Sequence, residues 1–153
     1  MSEQTQTPEW IPLPPLLSEA KEAAIEDLHR YLAEQGYGEI RPSHGCVFRY
    51  VGGEGIRLTE LAELTGFTKQ AVGEFVAELE QKGYVERIPD PADRRAKNIR
   101  LTKRGTEASR LAQQYFVEIE RRWAQEIGAK KMATLREALE QIVELERAPA
   151  EAA

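Results

Sequence analysis

Apolar residues recur at intervals of three and four along both ends of this chain and predict long helices there. The first predicted helix runs from about Pro15 to Gln35 and ends at Gly36 and Gly38. The last third of the chain carries two apolar stripes separated by Gly128, which allows a break. The first stripe consists of Leu111, Tyr115, Phe116, Ile119, Trp123 and Ile127, and the second, with near-heptad spacing, of Met132, Leu135, Leu139, Ile142 and Leu145.

The middle of the chain alternates short helices with short strands. A short helix is predicted over Ser43–Tyr50 and a brief strand over Ile56–Leu58. Two helices follow, one capped by Thr59 and ending near Thr65, the other capped by Thr68 and ending near Lys82. The turn between them contains Gly66, which can adopt the positive φ of a tight turn. This is the spacing of a helix-turn-helix, with an αα-hairpin packed on another surface as the alternative. The apolar contact between the two helices is predicted to involve Leu61, Ala62, Val72, Phe75, Val76 and Leu79.

A β-hairpin is predicted directly after the helix-turn-helix. Period-two alternation predicts a strand over Tyr84–Ile88. A turn at Pro89–Asp93 follows, and Asn98–Leu101 is predicted to be the returning strand. The fold class is therefore mainly α with a small β-hairpin wing (α+β), a winged helix-turn-helix. The stretch from 94 to 104 is cationic and contains no acid, through Arg94, Arg95, Lys97, Arg100, Lys103 and Arg104. An ordinary solvated face is the alternative explanation for this charge.

Composition limits the class of protein. The chain has 153 residues, 41% hydrophobic and 31% charged, and its net charge is -5, so a positive surface has to be local. The length predicts one globular domain, or one domain plus an oligomerisation element. No apolar run in the sequence is long enough for a membrane helix. The absence of a signal sequence and the single cysteine, Cys46, favour the cytoplasm. We expect no metal, no cofactor and no enzyme activity, because no catalytic or ligand motif is present.

The segment from 83 to 105 resembles the MarR family of bacterial transcription regulators. The resemblance lies in Gly-Tyr-Val-Glu-Arg at 83–87, in Asp-Pro-Ala-Asp-Arg-Arg-Ala-Lys at 90–97, and in Ile-Arg-Leu-Thr-Lys-Arg-Gly at 99–105. When the order of helices and strands is included, the resemblance extends over residues 15–147. It implies a dimer, with the first and the terminal helices at its interface, on pseudo-palindromic double-stranded DNA. It also implies that the second helix of the helix-turn-helix enters the major groove and a wing arginine the minor groove.

The resemblance assigns roles to particular residues. Arg95 matches the minor-groove arginine, and Asp93 the carboxylate that braces it, although Asp93 is equally explained as an ordinary turn residue. The start of the recognition helix matches Thr68, Lys69 and Gln70, of which Gln70 can bond adenine and Lys69 can reach guanine or phosphate. Solvent exposure alone is the alternative for Lys69 and Gln70.

Other residues extend the predicted DNA contacts. Lys103 and Arg104 lie in the first turn of the last long stretch of helix, where positive charge opposes the helix dipole, so we expect both to contact phosphates. Gly73 and Glu74 depart from the family's usual recognition helix. Gly73 lets the backbone approach DNA, whereas Glu74 repels phosphate unless it bonds cytosine or braces a neighbour.

The expected organisation is an arm over 1–14, dimerisation helices over 15–36 and 105–147, a DNA-binding lobe over 40–104, and a frayed tail over 148–153. A small phenolic or carboxylate effector is expected between the lobe and the dimer helices, near His29, His44, Cys46, Arg49 and Trp123. Each of these residues also has a structural explanation, and for Cys46 an inert role is favoured over a redox role. The expected function is a dimeric repressor; the alternative is a winged-helix module that contacts protein without sequence-specific DNA binding.

Overall fold

The computed structural model describes residues 10–148. Helix α1 spans Leu13–Glu34, and a 3₁₀ turn at Pro42–His44 leads into α2, Gly45–Tyr50. Strand β1, Ile56–Arg57, precedes α3, Leu58–Thr65, and α4, Lys69–Gln81. Strands β2, Val85–Pro89, and β3, Lys97–Leu101, form the hairpin. Helices α5, Lys103–Ile127, and α6, Ala129–Arg147, complete the described chain. The predicted fold class, a mainly helical winged helix-turn-helix, is confirmed.

Three helix starts differ from the sequence predictions, and the simplest case is α2, which begins at Gly45, after the 3₁₀ turn, rather than at Ser43. Helix α1 begins at Leu13 rather than near Pro15, because the first turn of a helix tolerates proline, whose missing N–H has no partner there anyway. Helix α3 begins at Leu58, so the prediction that Thr59 caps it was wrong. Arg57 occupies the cap position, since its extended backbone already pairs with β3 opposite Asn98.

The chain forms two compact units, divided within α5 after Gln113. In the first unit a three-stranded antiparallel sheet has the order β1-β3-β2. Val85 pairs with Leu101 and Pro89 with Lys97, so the hairpin closes over the segment between 90 and 96. The hydrophobic core of this unit lies under the helix-turn-helix, and its members include Leu61, Val72, Val76, Leu79 and Tyr84, each 0% exposed.

The second unit contains the end of α5 and all of α6. Gly128, at φ 98°, separates the two helices, as the sequence predicts. Every residue of α6 except Met132 and Leu139 is exposed in the single chain. The large apolar side chains among them are Leu135, Ile142, Val143 and Leu145. None of the helices within residues 10–148 combines the length and hydropathy needed to cross a membrane.

Candidate nucleic-acid interface

The helix-turn-helix is built as the sequence predicts. Gly66 ends α3 with φ 73°, a left-handed conformation that side chains with a Cβ rarely adopt. Thr68 caps α4, and its hydroxyl oxygen accepts a hydrogen bond from the Ala71 backbone N–H at 3.1 Å. The cap fixes where α4 starts, and it leaves the side chains of Lys69 and Gln70 in solvent.

The two residues that depart from the family pattern occupy different environments. Glu74 is exposed, one turn after Gln70. Gly73 is half-buried, and a Cβ at this position would lie 3.7 Å from Leu58 Cδ2, which is an ordinary van der Waals contact. The packing of the chain itself therefore does not require glycine at position 73.

Asp90 anchors the base of the wing. Its Oδ2 accepts from Arg57 at 2.7 Å to Nε and 2.6 Å to Nη2, and its Oδ1 accepts from the Ala92 N–H at 2.9 Å. Both kinds of bond favour the ionised carboxylate, so the Ala92 amide first and then Arg57 hold the pKa of Asp90 below its usual value. Because Arg57 leads directly into α3, this ion pair ties the wing to the helix-turn-helix. Sequence reasoning missed both residues, whose only local signal is their charge.

Asp93 shapes the tip of the wing through the backbone. Its Oδ1 accepts from the Arg95 backbone N–H at 3.0 Å, and its carbonyl accepts from the Ala96 N–H at 3.0 Å. The structure therefore shows Asp93 as a turn residue, the second of the two explanations that the sequence allowed. Asp93 orders the segment that carries Arg95 and leaves the guanidinium itself unbraced.

The bond made by Asp93 predicts different behaviour for two substitutions. Asp93→Asn keeps an oxygen that can accept from Arg95 N–H, whereas Asp93→Ala removes it, and both remove the negative charge. We expect Asp93→Asn to bind DNA severalfold more tightly than Asp93→Ala in a fluorescence-anisotropy titration. Equal affinities for the two variants would show that the turn bond has no part in binding.

The cations of the wing fall into two groups. Arg87 and Arg100, on the strands, are neutralised by Glu80 at 3.4 Å and by Glu86 at 2.6 Å. At and beside the tip, Arg94, Arg95 and Lys97 are exposed and form no ion pair among the residues that the structure describes. Fewer cations are therefore unpaired at the tip than the cationic stretch in the sequence contains. These three side chains form a positive surface that a polyanion can contact.

Lys103 and Arg104 begin α5 as predicted, but their environments differ. Lys103 is exposed. The guanidinium of Arg104 lies over the Tyr84 ring, 4.6 Å from its centroid, and donates to Lys82 O at 3.2 Å and to Glu39 Oε2 at 3.3 Å. These contacts give Arg104 a structural reason to stand against the helix dipole, so a phosphate is no longer needed to explain it.

Four of the five candidate effector residues lie in the first unit, two of them bonded histidines. His29 Nδ1 lies 3.0 Å from Ile40 O. His44 is 0% exposed, with Nδ1 3.0 Å from the Arg41 backbone nitrogen and Nε2 2.7 Å from Glu78 Oε2. Both ring nitrogens of His44 are therefore hydrogen-bonded within the chain, which gives this residue a structural explanation.

The remaining three candidates differ in reactivity and exposure. Cys46 Sγ donates to Ser43 O at 3.3 Å, and burial raises the pKa of the thiol, which favours the inert role. Arg49 is exposed, with its guanidinium 5.3 Å from the centroid of the Tyr50 ring. Trp123 lies on α5 in the second unit and is 38% exposed.

The buried His44 and the partly buried His29 predict that stability falls in mild acid. Burial is the largest effect on both side chains, and it lowers the pKa of His29 and of His44 from the ordinary 6.5. At His44, the hydrogen bond and charge of Glu78 raise the pKa, whereas the charges of Arg41 and Lys82 lower it further. The unfolded chain then binds more protons below about pH 6.5, so the free energy of unfolding decreases as pH falls, by at most about 1.4 kcal/mol per unit for each histidine. Urea unfolding at pH 7.5 and 5.5 measures this, before the carboxylates titrate. His44→Gln should flatten the dependence; an unchanged slope would contradict the assignment.

A helix-turn-helix followed by an antiparallel hairpin with unpaired cations at its tip defines a winged helix-turn-helix protein. Residues 40–96 match the model of the MarR family. This segment of the chain is therefore similar to the MarR family. The match covers both helices of the helix-turn-helix and the wing as far as Ala96, which are the parts described above.

Solved structures share the fold over nearly the whole chain. The reduced form of MarR from E. coli is 24% identical, with a TM-score of 0.74, and the alignment covers 88% of this chain and 98% of that one. A transcriptional regulator from Thermotoga maritima is 26% identical, with a TM-score of 0.60 and coverage of 88% and 93%. FabT from Streptococcus pneumoniae, solved in complex with DNA, is 17% identical, with a TM-score of 0.72 and coverage of 87% and 94%. No curated protein sequence matches the chain.

Proposed function

We propose that this protein is a transcription regulator of the MarR type, which acts in the cytoplasm as a homodimer, binds a pseudo-palindromic site on double-stranded DNA and represses transcription. The observation that carries the proposal is the wing tip, where exposed and unpaired Arg94, Arg95 and Lys97 project from a hairpin anchored to the helix-turn-helix by Asp90 and Arg57. A guanidinium suits the narrow, negative minor groove. FabT, a protein of the same fold, was solved in complex with DNA, which supports binding to DNA.

The start of α4 would read base edges in the major groove. Thr68, Lys69 and Gln70 are exposed where the cap bond fixes the helix. Gln70 has the donor and acceptor that adenine requires, and Lys69 can reach guanine or phosphate. Lys103 would contact phosphate, and the half-buried Gly73 would let the backbone come close to the duplex. Glu74, as an exposed acid on the same helix, would disfavour binding except where it accepts from cytosine.

Dimerisation would cover apolar surface that the single chain leaves in solvent. Leu13, at 64% exposed, Leu16 and Leu17 lie on α1, and Leu145, at 72% exposed, lies on α6 with the apolar side chains named above. Clusters of large exposed apolar side chains on a helix favour an interaction surface. A two-fold dimer would present two lobes to half-sites about one helical turn apart.

A small phenolic or carboxylate effector would release the repressor by favouring a dimer whose lobes do not match the site. Arg49 is the candidate that supports this part of the proposal, because it is exposed and carries a charge that pairs with a carboxylate or phenolate.

Selection of bound duplexes from random DNA, followed by titration at several salt concentrations, tests the function. We expect a palindromic consensus and an affinity that falls steeply as salt rises, with sedimentation equilibrium giving a dimer. Selection that yields no consensus, together with salt-insensitive binding, would favour the protein-contact module instead.

A further inference from the structure

A continuous chain of hydrogen bonds links α1 to α4 through two histidines. His29 on α1 contacts Ile40 O at 3.0 Å, the Arg41 N–H contacts His44 Nδ1 at 3.0 Å, and His44 Nε2 contacts Glu78 Oε2 on α4 at 2.7 Å. The carbonyl of Ile40 and the N–H of Arg41 belong to one peptide group. A rigid plane therefore joins the two histidines.

The chemistry of the partners fixes every proton in this chain. A carbonyl oxygen only accepts, so His29 must carry its proton on Nδ1. A backbone N–H only donates, so Nδ1 of His44 must accept, and its Nε2–H then donates to the carboxylate of Glu78. All the bonds therefore run in one direction, from His29 to Glu78, and they are satisfied only when His44 is neutral.

The α4 end of the chain is held by packing as well as by hydrogen bonds. The His44 ring is 0% exposed and meets the Phe75 ring edge-on, with centroids 6.3 Å apart. Phe75 in turn meets Phe67, in the turn before α4, at 5.7 Å. Arg41 donates a second bond to Glu78 Oε2. The orientation of α4 about its own axis thus depends on the contacts that Glu78 and Phe75 make with His44 and Arg41.

We propose that the hydrogen-bond chain from His29 to Glu78 positions α4 relative to α1 and thereby sets the affinity for DNA. The inference rests on the proposed function, because orientation of α4 affects binding only if its first turn enters the major groove. Base readout requires donors and acceptors to meet base edges within hydrogen-bond geometry, so a small rotation of α4 weakens several contacts at once. His29, His44 and Glu78 are positioning residues in this scheme and do not contact DNA.

Two substitutions of equal charge at Glu78 separate geometry from electrostatics. Glu78→Gln keeps an oxygen that accepts from His44, whereas Glu78→Ala removes it, and each loses one negative charge. The Glu78 side chain is 39% exposed, so neither variant leaves a cavity. We expect Glu78→Ala to bind the selected duplex more weakly than Glu78→Gln by up to about tenfold, the upper end of what one hydrogen bond between neutral groups supports. Titrations are made at a temperature where circular dichroism shows every variant folded.

Glu80 supplies the matched control on the same helix. It is exposed and pairs with Arg87 rather than with the chain of bonds. Glu80→Gln and Glu80→Ala should bind DNA equally within about twofold, because the net value of an exposed ion pair is small. Equal affinities of the two Glu78 variants, in a protein whose wild type binds DNA, would overturn the proposal.

The α1 end is tested through His29. His29→Asn can still donate to Ile40 O, whereas His29→Leu cannot. If the bonds act as one unit, His29→Leu weakens binding severalfold in the wild type and by less than twofold in the Glu78→Ala variant. Additive effects of the two substitutions would overturn the link to α1, since independent sites add.

Nitrogen-15 NMR of the histidine rings gives a readout that needs no DNA. We expect His44 to show the Nε2–H tautomer in the wild type and to lose that single tautomer in Glu78→Ala. A wild type that binds no duplex would contradict the proposed function while the NMR still tests the chain of bonds. A mixture of His44 tautomers in the wild type would overturn the inference by itself.

Discussion

Replacing Gly105 with alanine is expected to destabilise the DNA-binding lobe by about 3 kcal/mol or more, the upper range for overpacking a tight site. A Cβ at position 105 would lie 2.0 Å from Tyr84 O and 3.0 Å from Tyr84 C. The obstacle is backbone, and the same carbonyl accepts from the Thr102 N–H at 3.0 Å, so it cannot move without losing that bond. Since domains are stable by only about 5–15 kcal/mol, we expect a clear drop in the urea midpoint.

Gly73→Ala is the matched control, because it also places alanine in a helix. Its Cβ would meet only Leu58 Cδ2, at 3.7 Å. We expect this variant to gain up to about 1 kcal/mol, the difference in helix propensity. Similar unfolding midpoints for the Gly105 variant and the wild type would refute the close approach to Tyr84. A Gly73→Ala protein that is more stable but binds DNA less tightly would support close approach of the α4 backbone to the duplex.

Arg95→Ala is expected to weaken DNA binding by about 10- to 100-fold while leaving folding and the dimer intact. Arg95 is exposed and forms no ion pair among residues 10–148, and its side chain is free to enter a groove. Removing one cation that contacts DNA should also reduce the slope of log affinity against log salt by about 1. Anisotropy titrations at several salt concentrations measure both quantities, and sedimentation equilibrium reports the dimer.

A neutralised arginine on the same hairpin gives the control. Arg100 pairs with Glu86 at 2.6 Å, so removing both side chains together leaves the net charge of the wing unchanged. We expect the double variant Arg100→Ala, Glu86→Ala to bind within about threefold of the wild type. If Arg95→Ala binds as tightly as this control, the assignment of Arg95 to a groove fails and the wing has another role.

The sequence predicted the parts of the site whose signals are local. Gly66 and the Thr68 cap occupy the turn and helix start that their residue types favour. The cationic tip follows from a turn between two alternating strands. Such features depend on neighbours a few residues away, so one sequence is enough to find them.

Some side-chain environments could not be predicted, because the deciding partner lies far along the chain. Arg104 bonds Glu39, 65 residues away. His44 bonds Glu78, 34 residues away. The anchor of the wing, Arg57 with Asp90, spans 33 residues. Periodicity carries no information about which charged side chains meet across such distances.

By itself, the sequence determined the order of helices and strands, the helix-turn-helix with its buried face, and the cationic turn of the wing. These follow from backbone preferences and from the periodic burial of apolar side chains, both of which act over one or two turns. The tertiary structure alone decided which cations stay unpaired, why Gly105 cannot carry a side chain, and how His29 is linked to Glu78. Each of those depends on atoms brought within a few ångströms by packing of elements distant in sequence, which no local pattern specifies.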